Sequence, residues 1–213
     1  MAEGLILNGF GPSVYTRIVR MALIEMGLDA DYVECDPFSE VPDQTLAALT
    51  PFGRVPVLQQ GDFTLPETTA ILRYLDALAT GPSLVPQDPR AAARMTQVMG
   101  IVDSYAYLPL VRDVFSHGFF RPLIGAAADA QRVEAGCTAA HPVLQALESI
   151  AAEGLVLNGG LTLADLHLAP MMDYFNRVPE AARMLADHPS LSAWWDGIKG
   201  RTSLAQTDPF APT

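Results

Sequence analysis

The 213 residues are 50% hydrophobic and 17% charged, and 13 basic against 24 acidic side chains leave a net charge of −11 and a pI of about 4.6. A chain this apolar is not disordered, and its length allows one large domain or two small ones. The basic residues are scattered and outnumbered, which argues against nucleic acid, because a protein that grips a polyanion gathers Lys and Arg on one face.

Leu5-Ile6-Leu7 is a short apolar run that stops at Gly9, Gly11 and Pro12, the pattern of a buried strand ending in a loop. Val14, Ile18, Ala22 and Met26 then recur at helical spacing with Val19 and Leu23 beside them, and Gly27 stands where it closes that helix. Tyr32 to Cys35 reads as a second strand. Asp36 to Asp43 reads as an irregular crossing, followed by a turn of helix through Ala48. Val55–Gln60 and Phe63–Leu65 read as a hairpin around Gly61-Asp62. The spacing of Ile71, Leu72, Leu75 and Leu78 predicts a helix over 67–79 that buries all four.

Thr80 to Pro89 carries three prolines and a glycine, which is linker chemistry. Beyond it only helical periodicity remains, over 90–117, 129–153, 163–175 and 189–200. The expected fold is α/β plus all-α. A βαβ-ββα domain occupies 1–80, a linker 81–89 and an all-helical domain 90–213.

The first basic residue is Arg17, so no basic stretch precedes an apolar signal core, and a cytoplasmic protein with no membrane partner is expected. Cys35 and Cys137 stand about a hundred positions apart, outside any Cys-x-x-Cys pair, and read as small buried hydrophobes. The histidines show no metal-ligand spacing, so no metal is expected. Thr162-Leu-Ala-Asp165, flanked by Leu161 and Leu166, matches a capping box with a hydrophobic staple and reads as structural.

Three segments stand in register with one another: Gly-Pro-Ser-Val-Tyr-Thr-Arg (11–17), Thr-Pro-Phe-Gly-Arg-Val-Pro-Val-Leu (50–58) and Leu-Pro-Glu-Thr-Thr-Ala-Ile (65–71). Together they resemble the cytosolic glutathione transferases, most of all the phi class and its bacterial relatives. The resemblance covers nearly the whole chain and implies a thioredoxin-like first domain that holds glutathione as co-substrate. It also implies a helical second domain that supplies the wall for a small apolar electrophile, and a homodimer.

Carried over residue by residue, the resemblance makes Ser13 the group that activates the thiol, with Tyr15 as rival because other classes use Tyr. A free thiol with a pKa near 8.5 is only a few per cent ionised at neutral pH. A hydroxyl that donates to sulfur favours the thiolate, as does the positive end of a helix. Ser is equally a preferred helix N-cap, so both roles stand open for Ser13. The resemblance implies a cis peptide at Val55-Pro56 that turns the Val55 backbone toward glutathione. It places Glu67 and Thr68 on the γ-glutamyl end and Arg54 where the family often has Gln. Phe10 and the aromatics Tyr105, Tyr107 and Phe115 are candidates for the apolar co-substrate, although an aromatic stretch such as 105–120 is more often core. The resemblance makes Asp103 the candidate for a reach across the dimer interface to the ligand ammonium.

Two departures stand against the carry-over. Pro66 replaces the aromatic that usually precedes the Glu, and Val41-Pro42-Asp43 contains no cation where plant members hold the glycyl carboxylate. The rival functions are a glutathione-dependent isomerase or lyase, and a transferase-like binding or regulatory module without catalysis.

Overall fold

A computed structural model describes residues 4–39, 44–157 and 160–211. The segment Val41-Pro42-Asp43 lies outside the described residues. The chain divides into two compact units, the first formed by residues 1–83 and 202–213, the second by 84–201.

The first unit is built on strands β1 (Leu5–Gly9), β2 (Ala30–Glu34), β3 (Val57–Gln60) and β4 (Phe63–Pro66), in the order β2-β1-β3-β4. β2 runs parallel to β1, while β3 is antiparallel to β1 and β4 to β3. The parallel pair requires a crossover, which helix α1 (Val14–Met26) supplies. Gly27 ends α1 in the left-handed region at φ 64°, where glycine carries no Cβ penalty. Gln60 faces Phe63, so Gly61 and Asp62 form a two-residue hairpin loop. Two further helices complete the sequence-expected set, α2 (Gln44–Leu49) and α3 (Thr68–Leu78). α3 packs against α1, with Ile71, Leu72 and Leu75 of the one and Ile18, Val19 and Ala22 of the other fully buried. Two expected core positions differ: Leu78 is 37% exposed and Met26 only half-buried, because each stands in the last turn of its helix.

Arg17 and the last helix explain why 202–213, expected in the helical domain, belong to the first unit. The Arg17 side chain is buried, and its Nη2 donates to the Leu204 carbonyl at 2.9 Å. The Ser203 hydroxyl donates to Glu25 of α1.

The second unit is all-helical. Its helices are α4 (Pro89–Ile101), the short α5 (Arg121–Leu123), α6 (Ala130–Ala152), α7 (Leu163–Phe175), α8 (Pro179–Ala186) and α9 (Pro189–Ile198); the short α10 (Thr202–Gln206) falls in the first unit. Between α4 and α5 the chain stays helical but widens to a π-helical stretch over Val102–Phe120, which contains Pro109. Asp88 and Asp129 cap α4 and α6, each accepting two first-turn amides.

α6 lies tightly on the π-helical stretch, and Gly136 permits the approach. A Cβ at Gly136 would stand 2.8 Å from the Asp113 Cβ and 3.0 Å from the Pro109 carbonyl oxygen. Gly136→Ala is therefore expected to cost about 1–3 kcal/mol, even though Ala gains about 1 kcal/mol of helix propensity. Chemical denaturation of the two proteins checks the sign.

Glu148 of α6 caps α9 from outside, accepting from the amides of Ser190 at 3.1 Å and Leu191 at 2.8 Å. Burial alone would raise its pKa, but these donors outweigh burial and hold the carboxyl below the ordinary value of 4.5. Because the folded pKa is depressed, the stabilisation is present above that value and is lost as pH falls through the folded one. Glu148→Gln is expected to cost about 1 kcal/mol at neutral pH and progressively less as pH falls through the depressed folded value, measured as urea midpoints at neutral and acid pH.

Candidate active site

The register of the sheet brings the motif residues of the first unit to one end. Gly9 faces Glu34, Asn8 faces Val57, and Val57 faces Pro66. The segment leaving β1 (Phe10–Ser13), the one entering β3 (Val55–Pro56) and the one leaving β4 (Glu67–Thr68) therefore emerge at the same end of the sheet.

Ser13 stands at the N-cap of α1 with extended backbone, and its Oγ accepts from the Thr16 amide at 3.3 Å. Accepting that bond uses a lone pair and leaves the hydroxyl hydrogen available to donate. The two roles open in the sequence are thus chemically compatible. Bonds that hold the loop before it include Ser13 N to the Phe10 carbonyl at 2.9 Å, Phe10 N to Thr16 Oγ1 at 3.2 Å, and Gly11 N to Glu34 Oε1 at 3.0 Å. Gly9 permits the loop to pass Thr16, since a Cβ there would lie 2.4 Å from the Thr16 Cγ2. Tyr15 is half-buried in the first turn of α1. Phe10 is half-buried and meets Phe38 edge-on at 5.8 Å.

The Val55-Pro56 peptide is cis. Arg54 is exposed, Val55 half-buried and Pro56 buried. The turn before them is fixed by Thr50, whose Oγ1 accepts from the Phe52 amide, and by Gly53 at φ 57°. Glu67 is exposed, makes no capping bond and holds φ 72°, ψ 112°, a region that L side chains rarely occupy. Thr68, the first residue of α3, is 6% exposed, at a helix start whose leading amides lack partners within the helix.

The second unit corrects part of the expectation. Phe115 is 3% exposed and stacks on Tyr174 at 4.2 Å, with Phe119 and Phe120 also against it, so it is core rather than a wall for a ligand. Tyr105 is 67% exposed and Tyr107 half-buried. Asp103, the candidate for a partner-subunit reach, is exposed and meets the fully buried His167 of its own chain, Oδ1 to Nε2, at 2.7 Å. Arg17, a cation of the first motif, is buried on the Leu204 carbonyl. Of the two cysteines, both unbridged, Cys35 is buried as expected while Cys137 is only half-buried. Among the described residues no cluster of three or more His, Cys, Asp or Glu is arranged to hold a metal ion, and no described helix is long and apolar enough to cross a membrane.

Two residues at the sheet end escape sequence reasoning. Asn8 is 2% exposed and braces β1 on β3, its Nδ2 donating to Gln59 Oε1 at 2.8 Å. Glu34 holds the Gly11 amide and also accepts from the Tyr32 hydroxyl at 2.6 Å. A polar residue at the end of a strand is the only signal either leaves in the sequence.

Comparison with known proteins gives the same two-part division. Family models for the glutathione S-transferase N-terminal and C-terminal domains match residues 7–83 and 111–201. Glutathione S-transferase F14 of Arabidopsis thaliana is 34% identical over 190 residues, 86% of this chain and 74% of that protein. The apo structure of glutathione S-transferase III superposes with a TM-score of 0.84 at 31% identity, covering 99% of both chains. A glutathione transferase homologue from Sulfitobacter with bound glutathione superposes with a TM-score of 0.73 at 26% identity, covering 95% of this chain and 96% of that one. The chain belongs to the glutathione S-transferase family, as an enzyme most like its phi class.

Proposed function

We propose that the enzyme conjugates the thiolate of reduced glutathione to hydrophobic electrophiles, with the Ser13 hydroxyl donating a hydrogen bond to the sulfur. The observation that carries this reading is the Ser13 geometry: its oxygen accepts from Thr16 N, which orients the side chain at the positive end of α1 and keeps its hydrogen available. The thiol proton leaves to solvent, sulfur attacks the electrophilic carbon, and the leaving group departs as the C–S bond forms. A hydroxyl placed where negative charge resides acts as an oxyanion-hole donor does, favouring the charged nucleophile.

The remaining residues at the sheet end divide the ligand among them. Val55 offers its backbone to the cysteinyl segment, and Thr68 its amide and hydroxyl to the γ-glutamyl carboxylate. Glu67 accepts from the ligand ammonium, and exposed Arg54 is the cation left for the glycyl end once Arg17 is committed to Leu204. Phe10, beside Ser13, faces the apolar co-substrate, with Tyr105 and Tyr107 as the second unit's candidates for it. A homodimer fits the family, and native mass measurement reads it directly.

Glu67 provides the test. Glycine accommodates φ 72° without strain, so Glu67→Gly is expected to stabilise the first unit by up to about 1 kcal/mol. It should also weaken glutathione binding at least 10-fold, the worth of one charge-assisted hydrogen bond. Calorimetric titration with glutathione checks the affinity and urea unfolding the stability; unchanged affinity with raised stability would remove Glu67 from the site.

A further inference from the structure

We infer that Glu34 is a positioning residue for thiol activation, tethering from the neighbouring strand the loop that carries Ser13. The inference deepens the proposed function and rests on its assignment of Ser13.

Two of the bonds that hold Phe10–Ser13 are local to the loop and α1. The bond from Gly11 N to Glu34 Oε1, at 3.0 Å, is made across to β2 and ties the middle of the loop to the neighbouring strand. The carboxylate is itself held. Its Oε2 accepts from the Tyr32 hydroxyl at 2.6 Å, and the Tyr32 ring lies under the Arg20 guanidinium, 5.4 Å from the ring centroid. Burial, and then the neighbouring carboxylate, hold the Tyr32 phenol above its ordinary pKa, so it remains a donor. Gly9 facing Glu34 in the β1–β2 register sets the reach: the side chain starts at the end of β2 and spans to the residue two beyond its strand partner. A carboxylate is otherwise an unexpected neighbour for a site that must stabilise a thiolate, since a like charge raises a thiol pKa. Its geometry accounts for it as a tether, and charge and tether are separable by substitution.

Glu34→Ala removes both, and Glu34→Gln removes only the charge, because the amide oxygen still accepts from Gly11 N and the amide nitrogen donates to the Tyr32 oxygen. With glutathione and chlorodinitrobenzene as probe substrates, Glu34→Ala is expected to lower kcat about 10-fold, the scale of a misplaced activating group, and to move the kcat/KM pH profile upward. Glu34→Gln should restore most of kcat. In a Ser13→Ala background the Glu34→Ala loss should vanish, since Glu34 acts through Ser13. Exchange of the Gly11 amide with deuterium should quicken about 10-fold in Glu34→Ala and stay near wild type in Glu34→Gln. Unchanged exchange overturns the tether. Unchanged kcat with faster exchange overturns the positioning role. Should Ser13→Ala itself leave kcat unchanged, the Ser13 assignment fails; faster exchange with lower kcat in Glu34→Ala then still supports the tether, acting on another group of the loop.

Discussion

Ser13→Ala is expected to cut turnover about 100-fold while lowering stability by only about 1 kcal/mol. The first figure is the loss on removing a single preorganised donor to developing or resident negative charge. The second is the cost of an N-cap, since the Thr16 amide loses its acceptor. The two figures differ because the hydroxyl is used twice, once through its lone pair and once through its hydrogen. Ser13→Thr keeps both atoms and should retain most of the activity if the added methyl fits. Tyr15→Phe is the control for the rival hydroxyl. Full activity in Ser13→Ala together with an inactive Tyr15→Phe would move the role two residues on, within the first turn of α1, and steady-state kinetics on the three variants decides it.

Asp165→Ala should be the most destabilising of the substitutions considered, at about 3 kcal/mol. The carboxylate is 5% exposed and accepts from three groups: the Thr162 amide at 2.7 Å, the Thr162 hydroxyl at 2.6 Å and Trp194 Nε1 at 2.7 Å. Truncation leaves these donors unsatisfied in the core, at about 1–3 kcal/mol each before relaxation. It also disconnects α7 from α9, because Trp194 belongs to the latter. Burial raises the Asp165 pKa above 3.8, and the three donors recover only part of that shift. Between 3.8 and the folded value the native state binds more protons than the unfolded one, so the stability contributed by this group falls as pH rises through that interval. Asp165→Asn abolishes the titration. The stability advantage of wild type over Asp165→Asn should therefore be greater near pH 4 than at pH 7, as urea unfolding followed by Trp fluorescence would read. Activity lost from Asp165→Ala at full stability would overturn the structural assignment.

The first unit was legible because its signals are local. Gly27 and the Gly61-Asp62 pair each require backbone conformations that few residues adopt, and each marks the end of an element. The apolar spacing in α1 and α3 left little choice of face. The capping-box pattern at Thr162 likewise placed the start of α7. What escaped depends on contacts distant in sequence. Arg17 reads as an available cation until Leu204, 187 residues on, supplies its acceptor. Phe115 reads as a pocket aromatic until Tyr174 is seen against it. The helix expected over 90–117 continues, but nothing in its periodicity announces the switch to π-helical bonding around Pro109. α8, eight residues long, is too short for two turns of pattern to rise above its surroundings.

The candidate site follows the same division. Ser13, Val55-Pro56 and Glu67-Thr68 were chosen through motifs, and the strand register brings those three separated motifs to one end of the sheet. Glu34 was invisible because its role is to bind a backbone amide, which any acceptor at the right distance can do. The charge balance adds a condition. A chain of net charge −11 gives an anionic ligand no general attraction, so local donors at the sheet end must supply the binding.

If a hydroxyl at the start of α1 holds glutathione as its thiolate, titrating the thiol of bound glutathione through its ultraviolet absorbance, in wild type and in Ser13→Ala, will show it. The expected result is a pKa below about 7.5 in wild type, against about 8.5 for a free thiol, rising by about 1–2 units in Ser13→Ala with the ligand still bound. An equal pKa in the two proteins would contradict it.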